Sequence, residues 1–350
     1  MTKKKGKKKV ETRLRNTIVG ILSTLMVIGS YWFSEQATKV ELPHSEQPAA
    51  LYSNQNRQDL QQTFLQAISH AKKSVLLLVY SLSDESIQNA LKQKSEEGIN
   101  VKVIFDGKST PFADRKLGPK VDVLKRFGKG LMHMKILVID GEQVLIGSAN
   151  MTTDSLKMHG NLVMAFHSPE LAETIKQKAS TLTEEGPCTK CPPYEFKFAD
   201  QKMELWFLPS KEDAADRIKQ IVDSAKKTVR VAMFTFTRQD LAEAIVEASK
   251  RGIKAEVVMD HYCGKGAGAK VVKYLKKNGI DVRLSTGGGL LHHKFLWVDG
   301  KTLVNGSTNW TKSAFTKNDD CFVVLNDLNE SQRKLLDNVW KVIKNESASP

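Results

Sequence analysis

Cysteine is scarce, four residues in 350, and only Cys188 and Cys191 lie near each other in sequence. A structural zinc at that pair would need two further ligands, and Cys263 and Cys321 come from far along the chain. Cys188-Thr189-Lys190-Cys191 therefore stays open between a local disulfide, the leading reading, a pair of free thiols, and a metal site. Acidic side chains are also in short supply: 39 Asp and Glu against 53 Lys and Arg leave a net charge of +14. Half of the excess is local. Residues 1–40 carry nine Lys and Arg against Glu11 and Glu35, 9 − 2 = +7, so 14 − 7 = +7 belongs to the remainder. Such a balance suits nucleic acid or an anionic membrane surface and selects neither.

One uncharged run stands apart, the 17 residues from Thr17 to Phe33. It follows Lys3, Lys4, Lys5, Lys7, Lys8, Lys9, Arg13 and Arg15 and ends on Tyr31-Trp32-Phe33. That is the short limit of the roughly 17–25 residues that span a bilayer as a helix, with an aromatic end suited to the interface. The pattern predicts an N-terminal transmembrane helix in residues 1–38, lysines on the cytoplasmic side and the body of the chain on the non-cytoplasmic side. Secretion after signal cleavage is the alternative; Glu35, two residues before Ala37, makes a poor cleavage site.

The rest of the chain is organised around a stretch that occurs twice. Leu131-Met132-His133-Met134-Lys135 leads through Ile136-Leu137-Val138-Ile139 to Asp140-Gly141 and Gly147-Ser148-Ala149-Asn150. Leu291-His292-His293-Lys294 leads through Phe295-Leu296-Trp297-Val298 to Asp299-Gly300 and Gly306-Ser307-Thr308-Asn309. The copies are 292 − 133 = 159 residues apart. In each, the apolar run reads as a buried strand, and Asp-Gly is the dipeptide that two-residue hairpin turns prefer, because Gly accepts positive φ without steric cost. Residues two apart on a strand share a face, so His133 projects with Lys135, and His292 with Lys294. Imidazole, ammonium, hydroxyl and amide groups from two copies make a site for a phosphate.

The surroundings repeat too. Helix and strand patterns alternate, with buried strands expected at Ser74 to Tyr80, Val101 to Phe105, Val229 to Phe236 and Ala255 to Met259, and a capped helix over Ser83 to Glu97. Ala71-Lys72-Lys73 matches Ala225-Lys226-Lys227, and Gly98-Ile99 matches Gly252-Ile253, at an offset of 154. Five extra residues (159 − 154) therefore enter the second copy before its motif, expected in Gly264 to Gly268 or Gly287 to Gly289. The expected organisation is an N-terminal anchor (1–38), a linker (39–56), a first repeat (57–183), a connection (184–203) and a second repeat (204–350).

The two copies resemble the HxKxxxxD...GSxN motif of the phospholipase D superfamily, over about Leu51 to Ile343. The resemblance implies two duplicated α/β sandwich domains forming one bilobed unit, with a single active site between the repeats, so that a monomer is sufficient. It also implies a two-step phosphodiesterase mechanism through phosphohistidine, without metal or cofactor. His133, Lys135, His292 and Lys294, with Asp140 and Asp299, are the catalytic candidates, the two aspartates being turn residues in the first place; Ser148, Asn150, Ser307 and Asn309 are the phosphate-binding ones. Family members carry an acid eleven residues after the motif Asn, where it orients a histidine. Here those positions hold Asp320 and, departing from the pattern, Asn161. If each serves the histidine of its own repeat, the carboxylate makes His292 the protonated acid and leaves His133 the neutral nucleophile. His293 reads as structural, His159 lies near the cleft, and Trp310 and Phe315 read as packing at least as readily as ligand contacts.

The substrate is less constrained. The anchor fits a phospholipase D acting on a phospholipid membrane, with cardiolipin-synthase-like transfer as a variant. Lys108, Arg115, Lys116, Lys120, Lys125, Arg126 and Lys129 would suit the backbone of a nucleic acid, the alternative partner, and so a nuclease.

Overall fold

The computed structural model describes Thr17 and residues 40–350. Among the described residues no helix is long and apolar enough to cross a membrane. The expected transmembrane helix in residues 1–38 falls, apart from Thr17, outside the described residues. The chain divides into two units, Met1–Glu41 and Leu42–Pro350, and both repeats lie in the second.

The first repeat runs β1 (Ala50–Tyr52), α1 (Leu60–Ser69), β2 (Ser74–Val79), α2 (Glu85–Glu96), β3 (Asn100–Asp106), α3 (Ala113–Leu117), β4 (Asp122–Arg126), β5 (Lys135–Ile139), β6 (Gln143–Gly147), α4 (Thr153–Lys157), β7 (Val163–His167) and α5 (Pro169–Ser180). The second runs β8 (Tyr194–Phe198), β9 (Gln201–Leu208), α6 (Ala214–Asp223), β10 (Thr228–Met233), α7 (Gln239–Lys250), β11 (Lys254–Met259), α8 (His261–Lys265), α9 (Ala269–Lys277), β12 (Asp281–Ser285), β13 (Lys294–Val298), β14 (Thr302–Gly306), α10 (Lys312–Thr316), β15 (Asp320–Leu325), α11 (Glu330–Asn345) and β16 (Ser347–Ala348). The sheets have orders β1-β7-β6-β5-β2-β3-β4 and β16-β12-β11-β10-β13-β14-β15-β9-β8. Their six-stranded centres are the same, β2 to β7 matching β10 to β15.

In each repeat the parallel strands are joined through helices, whose apolar stripes cover one face of the sheet. Helix α1 begins at Asp59, whose carboxylate accepts from Gln62 N–H, and α2 at Asp84, which accepts from Ile87 N–H. Asp84, not Ser83, is thus the cap. The other faces of the sheets meet. Ile136, Val138 and Ile146 of the first repeat share one core with Phe295, Trp297 and Leu303 of the second, and Leu336, Val339 and Trp340 of α11 close it. The repeats therefore form one compact unit with a common core rather than two lobes. Two expected connections also belong to sheets: β1 lies in the linker and pairs with β7, and β8 lies in 184–203 and pairs with β9.

Both hairpins close as three-residue loops, with Ile139 opposite Gln143 and Val298 opposite Thr302. Asp140 (φ 55°) and Asp299 (φ 53°) share the left-handed region with the following glycines, Gly141 and Gly300. The five extra residues lie between β11 and β12, where His261 to Ile280 replaces the shorter stretch 107–121 and adds α9. That places them in the stretch with Gly264 to Gly268; Gly287 to Gly289 aligns with Gly128 to Gly130 without insertion.

Candidate active site

The motif segments meet at the ends of β2, β6, β10 and β14, where the two sheets face each other. Lys135 opens β5 opposite Val79, and Lys294 opens β13 opposite Met233. The segments before the lysines cross to the other repeat: Met132 bridges Asp319, and Leu291 bridges Gly160. His133 N–H donates to Asp319 O at 2.7 Å. Cβ atoms at Gly130 and Gly289 would lie 1.9 Å from Lys317 O and 2.2 Å from Met158 O, so both crossings require glycine.

His133, Lys135, His292 and Lys294 are all buried. Each lysine donates to the carbonyl of its own histidine, Lys135 Nζ to His133 O at 2.6 Å and Lys294 Nζ to His292 O at 2.7 Å. An ammonium has three donors, so two remain on each for a ligand.

The histidine partners are crossed between repeats. His133 Nδ1 lies 3.0 Å from Asp320 Oδ2, and His292 Nδ1 lies 3.0 Å from Asn161 Oδ1. The expectation that each partner serves its own repeat is thus corrected: β7 and β15 start at the interface between the sheets, so Asn161, two residues before β7, and Asp320, at the start of β15, reach over. As Nδ1 donates to an oxygen in both rings, Nε2 is left as the reactive nitrogen, and neither Nε2 has a hydrogen-bond partner among the described residues.

The serines are corrected as well. Ser148 Oγ donates to Asn161 Oδ1 at 2.8 Å and accepts from Leu162 N–H at 3.1 Å. Ser307 Oγ donates to Asp320 Oδ1 and accepts from Cys321 N–H. Both hydroxyls are fully buried and hold the histidine partners, so neither is free to bind phosphate. The preceding glycines have a steric duty: a Cβ at Gly147 would sit 2.3 Å from Leu162 O, and one at Gly306 2.5 Å from Cys321 O. Asn150 and Asn309 are half-buried, and their amide nitrogens have no hydrogen-bond partner among the described residues, which keeps them available to an anion. Asn309 Oδ1 accepts from Thr235 N–H at 3.3 Å.

Asp140 and Asp299 lie at the far ends of β5 and β13 from the lysines. Asp140 accepts from the N–H groups of Lys72, Lys73 and Ser74, and Asp299 from those of Lys226, Lys227 and Thr228. They cap strand starts and touch no reacting group. His293 is buried on the other side of β13 and bonds Gln55 at 2.5 Å; burial pushes its imidazole down to about 3, which keeps it neutral. His159 sits 6.2 Å, ring to ring, from His292. Trp310 and Phe315 are core residues.

Burial dominates the electrostatics. It pushes Lys135 down to about 7, against the attraction of Asp320. Burial and the proximity of Lys135 drive Lys294 well below its ordinary value. Burial and then Lys135 lower His133, with Asp320 pulling the other way, whereas His292 falls well below its ordinary value with no carboxylate in opposition. Burial opposes the charge on Asp320, but His133 and Lys135 outweigh it and hold the carboxyl below the usual range. Four groups able to carry positive charge thus converge on one carboxylate in a buried site, and an entering anion would favour their charged forms.

Four contributors escaped the sequence reading. Tyr80 and Phe234, at the offset of 154, place rings 5.2 and 4.9 Å from His133 and His292, and stand at the same distances from Lys135 Nζ and Lys294 Nζ. Asp106 and Asp260, also 154 apart, accept from Met132 N–H at 3.0 Å and Leu291 N–H at 3.2 Å and so fix the crossing segments. The repeat itself marked both pairs, since each residue falls at or just beyond the end of a matched strand.

Three of the seven basic residues before the first motif are committed elsewhere. Arg126 is buried against Asp319 at 2.8 Å, Lys125 pairs with Asp114 and Lys116 with Glu85. All four cysteines are free thiols. Cys188 Sγ donates to Lys317 O at 3.2 Å and Cys191 Sγ to Thr189 O at 3.7 Å, so the favoured disulfide is not formed.

The family described as "Cardiolipin synthase, PLD-like domain" matches residues 64–183 and 218–342. The mitochondrial cardiolipin hydrolase of Chlamydomonas reinhardtii is 32% identical over 130 residues, 37% of this chain and 58% of that protein. A probable cardiolipin synthase of Bacillus subtilis is 28% identical over 129 residues, 34% of this chain and 26% of that one. The chain thus spans under two thirds of the length of these relatives. The crystal structure of phosphatidylserine synthase from Haemophilus influenzae superposes with a TM-score of 0.67 at 14% identity, covering 91% of each chain, which shows a common fold.

Proposed function

Because the chain belongs to the phospholipase D superfamily, we propose that it is a phosphoric diester hydrolase that cleaves glycerophospholipids to phosphatidate and a free headgroup. The observation that carries this reading is the pair of tethered imidazoles: each Nδ1 is fixed by a buried partner, and each Nε2 is free beside a buried lysine. In the first step Nε2 of His133 attacks phosphorus, the bond to the leaving oxygen breaks, and His292, which takes up a proton as the anionic diester binds, gives that proton to the oxygen. In the second, neutral His292 takes a proton from water as the water oxygen bonds to phosphorus and the N–P bond breaks. Lys135, Lys294 and the amides of Asn150 and Asn309 hold the non-bridging oxygens.

The crossed partners give the histidines different duties. On basicity alone, Asp320 would make His133 the acid. The phosphorylated imidazole, however, carries its positive charge for the lifetime of the intermediate, while the acid must shed its charge in the same step. A buried carboxylate favours the ring that keeps its charge, and an amide suits the ring that cycles. Trapping phosphohistidine at 292 instead of 133 would reverse the assignment.

Lipid is favoured over nucleic acid by two observations. Related proteins are named for cardiolipin hydrolysis and synthesis. Among the described residues the exposed large apolar side chains are Phe112, Leu131 and Met158 on loops and Tyr262 in α8, at the histidine end of the sheets, where a membrane surface would be met. An N-terminal anchor in residues 1–38, with the catalytic unit on the non-cytoplasmic side, would keep the protein at a membrane. The test gives the fragment from Lys39 onward fluorescent-headgroup vesicles and single-stranded DNA or RNA in parallel, in chelator, with His133→Asn as the blank. Headgroup release lost in the variant is expected. Strand cutting lost in the variant, without headgroup release, would make the protein a nuclease.

A further inference from the structure

The two crossings are equivalent in backbone and opposite in filling. At the first, Arg126 ends β4 and its guanidinium donates to Asp319 Oδ2 at 2.8 Å and to Thr183 O at 2.5 Å, filling the flank beside His133. At an offset of 159, the second crossing has Ser285 for Arg126 and Gly160 for Asp319. Two large side chains are missing there. In their place are two clefts of about 430 and 250 Å³ that share Ser285, Gly287 to Gly289 and Met158. The larger reaches Leu291, adjacent to His292, and Gly160, adjacent to the Asn161 that holds His292. The smaller is lined by His159, 6.2 Å from the His292 ring.

We infer that this open flank is the subsite for the leaving alcohol, and that its occupant is an uncharged, hydroxyl-bearing headgroup. The inference rests on the proposed phosphodiesterase reading, in which the alcohol departs at His292; the filled flank then leaves the diester one orientation. The lining supports the occupant. The N–H groups of Gly287, Gly288 and Gly289 make no hydrogen bond within the described residues and can donate to hydroxyls. Across the two clefts, Arg57 and Lys157 are outnumbered by Asp154, Asp260 and Glu346, so the flank has no cationic excess for a second phosphate. A polynucleotide would place its next phosphate there.

Gly288 permits a direct test, since a Cβ added to it meets nothing within 4 Å. Gly288→Phe obstructs the open flank, and Lys129→Phe places the same ring at the equivalent position of the filled one. The full-length protein is given vesicles of phosphatidylglycerol or of phosphatidylmethanol, which differ only in the leaving alcohol. The glycerol-to-methanol ratio of kcat/KM is expected to fall at least about tenfold in Gly288→Phe and to stay within about twofold of wild type in Lys129→Phe. Gly288→Leu, expected to give a smaller fall, carries the reading if the Phe variant does not fold. An unchanged ratio in the Gly288 variants, or an equal fall in Lys129→Phe, overturns the inference. Calorimetric binding of glycerol phosphate against methyl phosphate reads the same ratio without turnover. Wild type that cleaves neither lipid while Gly288→Phe still weakens glycerol phosphate selectively would sink the lipid reading and keep the subsite; binding that shows no selective loss would sink the subsite.

Discussion

The flank beside His133 and the flank beside His292 are built from the same motif on equivalent strands, and three of the residue pairs that differ between them lie at the crossings. Asp320 faces Asn161 across the pseudo-symmetry, Asp319 faces Gly160, and Arg126 faces Ser285. The first member of each pair supplies charge or volume to the His133 side, and the second removes it from the His292 side. A duplicated scaffold offers two identical half-sites, but displacement at phosphorus needs a nucleophile on one side and a departing oxygen on the other. The asymmetry is therefore where the chemistry has to differ, while the shared lysines, serines and glycines are where it does not.

The hardest test of this contrast compares two leaving groups. His133→Asn is expected to abolish steady-state turnover on every diester. His292→Asn is expected to lose about 10²–10⁴-fold in kcat on phospholipid, and to recover most of that on a p-nitrophenyl phosphodiester, whose leaving oxygen needs no proton. Rescue of the His133 variant instead, read from initial rates on the two substrates, would exchange the roles.

A smaller effect separates the flanks by stability. Removing Arg126 as Arg126→Ala leaves Asp319 as an uncompensated buried charge, and breaking such a pair costs about 3–5 kcal/mol. Ser285→Ala at the equivalent position removes one hydroxyl, which accepts from His261 N–H at 3.0 Å, and is expected to cost about 1 kcal/mol. Urea midpoints check both; equal shifts would mean that the filled flank owes nothing to its ion pair.

How far the sequence carried this contrast depends on the physical range of its signals. Periodicity and the two offsets placed β2, β3, β5, β6, β10, β11, β13 and β14, the matched helices and the four His and Lys positions, because these depend on local pattern and on duplication. The crossing of partners was hidden, since Asp320 is eleven residues from Asn309 in its own repeat and reaches His133 only after the sheets pack. Ser148 and Ser307 were legible as polar groups near phosphate, but their commitment to Asn161 and Asp320 is a hydrogen-bond allocation that spacing does not encode. Arg126 read as one more basic residue in an exposed run, because its partner Asp319 lies 193 positions away. The strand β1 was missed because three residues in a polar stretch carry too little pattern to stand out from a linker.

Making the partners alike should shrink the contrast. Asn161→Asp puts a carboxylate against His292 Nδ1, which favours its charged form and raises its pKa. The limb of the pH profile on which the acid is lost should then move up by about one unit, since one unit corresponds to about 1.4 kcal/mol of added interaction. The converse variant, Asp320→Asn, should slow formation of phosphohistidine more than its hydrolysis, measured by rapid quench. A profile unmoved in Asn161→Asp would mean that the partner does not set the acid's proton affinity.

The smallest effect tests what the flanks share. Lys135, held near 7 by burial, is mainly neutral at pH 8 in the free site. An anion at about 4 Å gains about 4 kcal/mol from the ammonium at an effective dielectric near 20, equivalent to about three units of pKa. Binding at pH 8 must therefore take up a proton, whereas below about pH 7 the lysine is already charged and takes up none. Sulfate, which does not titrate in this range, should lose up to about tenfold in affinity per pH unit above about 7 from Lys135 alone, and more where Lys294 also takes up a proton. Calorimetry in two buffers of different ionisation enthalpy should register the uptake directly, and Lys135→Met should reduce it by the Lys135 contribution, leaving the part due to Lys294. Sulfate affinity independent of pH from 6 to 9 would mean that the lysines stay charged in the empty site, and that the carboxylate of Asp320 compensates them more fully than burial opposes them.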